Sequence, residues 1–201
     1  MNFINQLITQ LEKKTIVLAS GSPRRIELLQ GVGLRFSVQP SGIREEPVEG
    51  MPPADYARHY ARLKAQEVAG RETAGLIISA DTVVALDEHL FGKPGNYGEA
   101  AHMLRTLSGR THQVITGFCL LTPQEEIVDF EQTSVTFYDL SEPEIEAYVQ
   151  SGEPFDKAGA YGIQGLGALF IKEIRGCYYN VVGFPLGKFY QTLKQLKNFS
   201  T

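Results

Sequence analysis

Residues 15–29, TIVLASGSPRRIELL, pass from one kind of backbone to another within a single turn. Thr15 to Ala19 is a short apolar run rich in β-branched residues, which suits a buried strand. A small-residue turn follows, and Pro23 then stands where a first helical turn loses nothing by a missing N–H, with Ser22 in the N-cap position. An apolar pattern resumes, so a helix is expected from Pro23 to Gln30. Arg24 and Arg25 fall in its first turn, where positive charge opposes the helix macrodipole. The free N–H groups there attract anions, and two guanidinium groups beside them would make a phosphate clamp. The alternative is an ordinary capped helix with solvated arginines.

The same alternation continues along the chain. A short amphipathic helix is expected near Asn5 to Lys13. The polar, proline-rich stretch from Pro40 to Pro53 reads as a long loop over a cleft. A helix from about Ala54 to Ala69 precedes a strand at Leu76 to Ala80, and another helix runs from Gly98 to Leu107, stopped by Ser108-Gly109. Strands at Gln113 to Leu121 and Ile127 to Tyr138 flank TPQEE, a hairpin turn. Ser141 opens a helix with Glu144 as its capping-box partner, and a last helix from Pro185 carries Leu186, Phe189, Leu193 and Leu196 on one face. Helices alternating with strands predict an α/β fold.

The bulk properties narrow the function. The 201 residues, 43% of them hydrophobic, suit one domain or two small lobes sharing a cleft. Cys119 and Cys177 form no CxxC or Cys/His pattern, so neither a disulfide framework nor a zinc site is expected, and a reduced, cytoplasmic setting fits. No secretory leader or membrane-length apolar run is read in the sequence. A net charge of -4 argues against a nucleic-acid coat, so any phosphate binding must come from a local constellation.

Single residues stand out against their surroundings. Lys64 shares a helical face with Ala57, Tyr60, Ala61 and Val68, while Arg58 and Arg62 lie opposite; it is either a snorkelling lysine at the core edge or an ammonium in a pocket. Asp81 interrupts the apolar run LIISADTVVAL. An ionised carboxylate is costly to bury unpaired, so it is expected at a strand end facing a cleft, a cation or a metal, the alternative being a turn aspartate. Lys93, in FGKPG, reads by itself as a solvated turn lysine. The glycine-rich stretch DKAGAYGIQGLGALF lacks a P-loop pattern and reads as a flexible or tightly approached loop. The four histidines show no ligand spacing, and no GxSxG elbow is present.

Taken in order, LASGSPRRIELL, SADTVV, GKP, LSGRTHQVITG, DKAGAYGIQG and YYNVVGFPL resemble the Maf family of nucleoside triphosphate pyrophosphatases, over about Val17 to Leu186. The resemblance implies an elongated α/β domain of the Maf/ITPase-like kind. Two lobes share a mixed, twisted sheet flanked by helices, with a nucleotide cleft between them. It makes residues 1–201 one domain, with 1–14 as an N-terminal extension helix, and implies a homodimer. The implied reaction is metal-dependent hydrolysis of a nucleoside triphosphate to the monophosphate and pyrophosphate, with Mg²⁺ or Mn²⁺ as cofactor. The family's catalytic carboxylate falls on Asp81, and its phosphate-binding positions on Ser22, Arg24, Arg25, Lys64 and Lys93. The DKAGAYGIQG block is similar to that of the dTTP/UTP branch, whose specificity positions fall on Arg24, Thr82 and Gln164. Asp81 and Glu45 are the implied metal ligands; Arg44 stands where many relatives carry an acid, and Glu45 remains available in that loop. Two other readings accompany this one: a nucleotide-binding regulator of septum formation without essential turnover, and a housekeeping hydrolase of modified pyrimidine nucleotides.

Overall fold

The strand-turn-helix opening is present as expected. In the computed structural model, which describes residues 11, 14–87 and 89–197, β1 (Ile16–Leu18) leads through residues 19–22 into α1 (Pro23–Gly31). The expected helix near Asn5 to Lys13 lies outside the described residues apart from Leu11, which packs into the core.

The remaining elements are β2 (Ser37–Val38), α2 (Pro53–Ala69), β3 (Leu76–Leu86), β4 (His89–Phe91), α3 (Tyr97–Leu107), β5 (Thr111–Leu121), β6 (Glu126–Phe137), α4 (Glu142–Gln150), β7 (Ile171–Arg175), α5 (Tyr178–Val182) and α6 (Leu186–Leu193). Short 3-10 turns at Glu153–Asp156, Ala158–Ala160 and Leu166–Phe170 fill the glycine-rich region. The result is a mixed α/β fold around a seven-stranded sheet in the order β2-β1-β3-β5-β6-β7, with β4 also on β3. The pairs β2–β1 and β1–β3 are parallel, and the others antiparallel.

The sheet splits along β3. On one side β5 pairs continuously with Ile77 to Ala85. On the other, β1 pairs with Leu76 to Ile78 and β4 with Val84 to Leu86. Among the described residues no strand covers Ser79 to Val83 on that side, and the cleft opens there. Asp81 lies at the middle of this gap. The expectation that it ends a strand is therefore corrected: β3 runs on through it for another turn of the pleat and more, because buried cations offset a carboxylate that would otherwise be costly there.

Alternation along the strands sorts the core onto two faces. One face carries Val17, Ile77 and Cys119 against Ala61, Ala65 and Val68, and then Val83, Ala85 and Ile115 against Tyr56, Ala57 and Tyr60, so α2 covers it from end to end. The opposite face holds two separate clusters. Leu18, Ile78, Ala80, Phe118 and Leu120 pack with α1 and α6; Val84, Leu86, Val114, Val135 and Phe137 pack with α3, α4 and the 3-10 turns. Between them lies a polar belt of Thr82, Thr116, Thr133 and Asn180. These two packing regions are the lobes.

Candidate active site

Lys64 is on α2 because the helix is apolar around it, and it is buried with 9% exposure rather than snorkelling to water. Its Nζ donates to Asp81 Oδ1 at 2.7 Å and also to Glu45 Oε1. A helix can lie close enough for this only where no side chain stands between it and the sheet. Gly117, the partner of Asp81 across the β3–β5 ladder, provides that, since a Cβ there would sit 2.3 Å from the Ala57 carbonyl carbon of α2.

Glu45 comes from the long loop, which α2 holds in place. The Tyr60 hydroxyl accepts from the Glu46 N–H and donates to the Glu46 carbonyl, both at 2.9 Å, one helical turn before Lys64. Arg71 donates to the Pro40 carbonyl at 2.7 Å at the far end. The loop thus presents Glu45, whose side chain keeps 41% exposure, beside a nearly buried ammonium.

The two carboxylates shift in opposite directions. Burial drives the Asp81 carboxyl up; Lys64 and Arg25 pull it down, Glu45 pushes it further up, and it stays above the ordinary value of 3.8. Burial also raises Glu45, but the Lys64 ammonium and its hydrogen bond outweigh this and leave Glu45 below its ordinary value. Asp81 is thus a stronger base than an ordinary aspartate, and Glu45 a weaker one than an ordinary glutamate. The Asp81 Oδ2 is buried without a hydrogen-bond partner.

The two arginines of the opening stretch part company. Arg25 is 9% exposed and donates through Nε to the Gly183 carbonyl (3.0 Å), through Nη1 to Ser20 Oγ (3.0 Å) and through Nη2 to Thr82 Oγ1 (2.9 Å). Burial lowers its pKa, with Asp81 and Glu45 opposing that shift. Arg24 is the more exposed and reaches across to Asp156, with Nη1 at 2.7 Å from Oδ2 and Nη2 at 3.2 Å from the carbonyl oxygen. Ser22 occupies the N-cap position, but its side chain makes no capping bond, so the N–H groups of the first turn stay open.

All nine sequence-singled residues, Ser22, Arg24, Arg25, Glu45, Lys64, Asp81, Thr82, Lys93 and Gln164, line one cleft of about 1860 Å³. Lys93 and Gln164 are exposed on its wall, and Lys93 is near enough to Glu45 to favour its ionised form. Sequence reasoning assigned no role to Ser20, Gly183, Asn180, Glu153 or Asp156. Asn180 carried a readable signal, a polar residue in the run YYNVVGF; it is fully buried, donating to the Val114 carbonyl and to Thr133 Oγ1. Among the described residues no group of three or more His, Cys, Asp or Glu side chains is placed to hold a metal ion, and no helix is long and apolar enough to cross a membrane.

The fold and the cleft define an α/β protein with an anion-attracting pocket built around a buried carboxylate–ammonium pair. Comparison with known sequences makes the class specific. Residues 15–196 match the family described as Maf-like protein, and the chain belongs to the Maf family. Relatives named dTTP/UTP pyrophosphatase include that of Carboxydothermus hydrogenoformans, 50% identical over 90% of this chain and 97% of the relative. Those of Koribacter versatilis (45%, covering 90% and 93%) and of Bacillus cereus strain ATCC 10987 (44%, covering 90% and 90%) are similar. Among solved structures, the Staphylococcus aureus Ham1 protein is a distant likeness: TM-score 0.44 and 17% identity, covering 63% of this chain and 73% of that one.

Proposed function

We propose that this protein is a nucleoside triphosphate pyrophosphatase that hydrolyses dTTP and UTP at the α–β anhydride, releasing the monophosphate and pyrophosphate. The observation that carries the reading is the buried Lys64–Asp81–Glu45 cluster in the same cleft as Arg24, Arg25 and Lys93. The activity named for relatives 44–50% identical supports the substrate. A cleft of about 1860 Å³ leaves room for base, sugar and three phosphates, against roughly 300–1,000 Å³ for ordinary small-molecule pockets.

The work divides among the side chains. Ser22 and the open N–H groups of α1, with Arg24, Arg25, Lys64 and Lys93, hold the triphosphate; Arg25 has three of its five N–H groups committed to the protein and two left for an oxygen. Asp81, made more basic by burial, accepts the proton of the attacking water. The surrounding cations meet the negative charge that grows on the departing pyrophosphate. Thr82, Arg24 and Gln164 discriminate the base, since a glutamine amide can pair with the carbonyl and N–H edge of a pyrimidine.

Asp81 and Glu45 fit a divalent cation such as Mg²⁺ or Mn²⁺. Both offer hard oxygens, and the unpartnered Asp81 Oδ2 is available as a donor. These two carboxylates would hold the ion, which would supply positive charge to offset that of the phosphates. The reading carries with it a housekeeping role in the cytoplasmic nucleotide pool.

The test is a panel of standard and modified nucleotides incubated with Mg²⁺ and assayed for pyrophosphate. Release from dTTP and UTP well above that from purine triphosphates is expected. Binding without pyrophosphate from any nucleotide would contradict the proposal and favour a nucleotide-binding regulator.

A further inference from the structure

Two of the three proposed base readers are poorly held by their own surroundings. Gln164 lies exposed on a glycine-rich loop, and Arg24 is a long side chain at the mouth of the cleft. What anchors both is the 3-10 turn Glu153–Asp156 between α4 and that loop. Glu153 Oε2 accepts the Leu166 N–H at 2.9 Å, and Oε1 accepts the Gly167 N–H at 3.2 Å together with the Tyr148 hydroxyl of α4 at 3.0 Å. Gly165 passes so close that a Cβ would lie 2.7 Å from Glu153 Oε2, and its φ of +84° is one that side chains other than glycine's rarely adopt. The loop is thus wrapped around a carboxylate. Of the two readings the sequence offered, a flexible or a tightly approached loop, Gly165 supports the second.

The other end of the turn holds Arg24 through the Asp156 carboxylate and carbonyl. Lys157 ties the two ends together, donating to the Glu153 carbonyl at 2.6 Å and to Asp156 Oδ1 at 2.7 Å. The turn is itself fixed from below, with Pro154 buried and the Phe155 ring edge-on to Tyr97 of α3 at 5.0 Å. The Arg24–Asp156 pair is exposed at 25% and 57%, so its energetic contribution is small and its value is positional.

We propose that Glu153 is a positioning residue for base selection: it fixes the loop bearing Gln164, while Asp156 on the same turn sets Arg24, so that one turn determines the spacing of both readers. This rests on the proposed roles of Gln164 and Arg24. Glu153→Gln turns an acceptor-only group into one that presents an N–H to the Leu166 or Gly167 N–H, which loosens the loop while nearly preserving volume. Displacing a binding group by an ångström or so is enough to lower discrimination by roughly 10-fold or more.

The experiment compares wild type, E153Q, Glu153→Asp and D156N with dTTP and dGTP. It records KM and kcat for each, and Kd for the non-hydrolysable α,β-methylene analogues, so that selectivity is read even without turnover. E153Q is expected to lower the dTTP:dGTP preference roughly 10-fold, mainly through KM and Kd for the pyrimidine. Glu153→Asp should recover part of the loss, and D156N should lower the preference in the same direction. An unchanged preference in E153Q and D156N would overturn the proposal. So would a parallel loss for both bases that tracks a fall in melting temperature, since that marks a merely structural role. A wild type that binds dTTP selectively without releasing pyrophosphate would sink the proposed reaction, while the analogue affinities would still decide this inference.

Discussion

Lys64 and Asp81 each make sense only through the other. An ammonium on the apolar face of α2 and a carboxylate in the middle of β3 would both be costly alone, and at 2.7 Å each offsets the other's desolvation. Removing Lys64 leaves the Asp81 carboxylate buried without its ion-pair partner, whereas Lys64 would keep Glu45 if Asp81 were lost. Lys64→Met is expected to lower stability by about 3–5 kcal/mol in urea unfolding, and adding Asp81→Asn should restore a good part of it. Additive losses in the double variant would show that the pair is not coupled. Much of this was legible in the sequence, because a charge inside an apolar pattern is visible without coordinates. What could not be read was how Asp81 is tolerated mid-strand: the compensating Lys64 lies 17 positions away and Arg25 still further, and local rules treat a strand carboxylate as a terminus.

The site depends on how α2 sits over the sheet, and that depends on Gly117. A methyl group there would meet the Ala57 carbonyl carbon at 2.3 Å and the Arg58 nitrogen at 2.5 Å, which are backbone atoms that cannot rotate away. Gly117→Ala should therefore lift α2, costing about 1–3 kcal/mol, and should lower pyrophosphate release more than the stability loss alone explains, since Lys64 moves with the helix. Wild-type activity at reduced stability would contradict this link. In the sequence Gly117 is only one glycine in a strand, because its reason lies in the backbone of another element. Apart from α5, the described helices were readable from periodicity and caps, as were β1, β3, β5 and β6 but not the short β2, β4 and β7; α2 and α3 each begin one residue earlier than expected and β5 two. The 3-10 turns were not: Asp156 meets Arg24 across 132 positions, and Glu153 earns its role from a loop that folds back over it.

Over the whole molecule, the lobe built on α3 and α4 contains an acid sensor of its own stability. His112 is 1% exposed, has one ring nitrogen 2.7 Å from the Tyr161 hydroxyl, and has Nδ1 without a partner. Burial pulls its pKa from 6.5 down to about 4. The unfolded chain binds this proton from about pH 6.5 downward and the folded chain does not, so the folded state loses ground as pH falls from about 6.5 to about 4. The loss attributable to this group is about 2–3 kcal/mol by about pH 4.5. Urea unfolding at about pH 7 and about pH 4.5 should show that difference shrink by this amount in His112→Gln, and an equal difference in both proteins would refute it.

The two lobes leave β3 uncovered at Asp81, and the central claim is that this gap is where a triphosphate is cut. The most direct measurement is dTTP turnover by Asp81→Asn beside dTTP binding by calorimetry. Turnover is expected to fall by at least ~100-fold, with dTTP still bound by the basic side chains. Undiminished pyrophosphate release from Asp81→Asn would contradict the account.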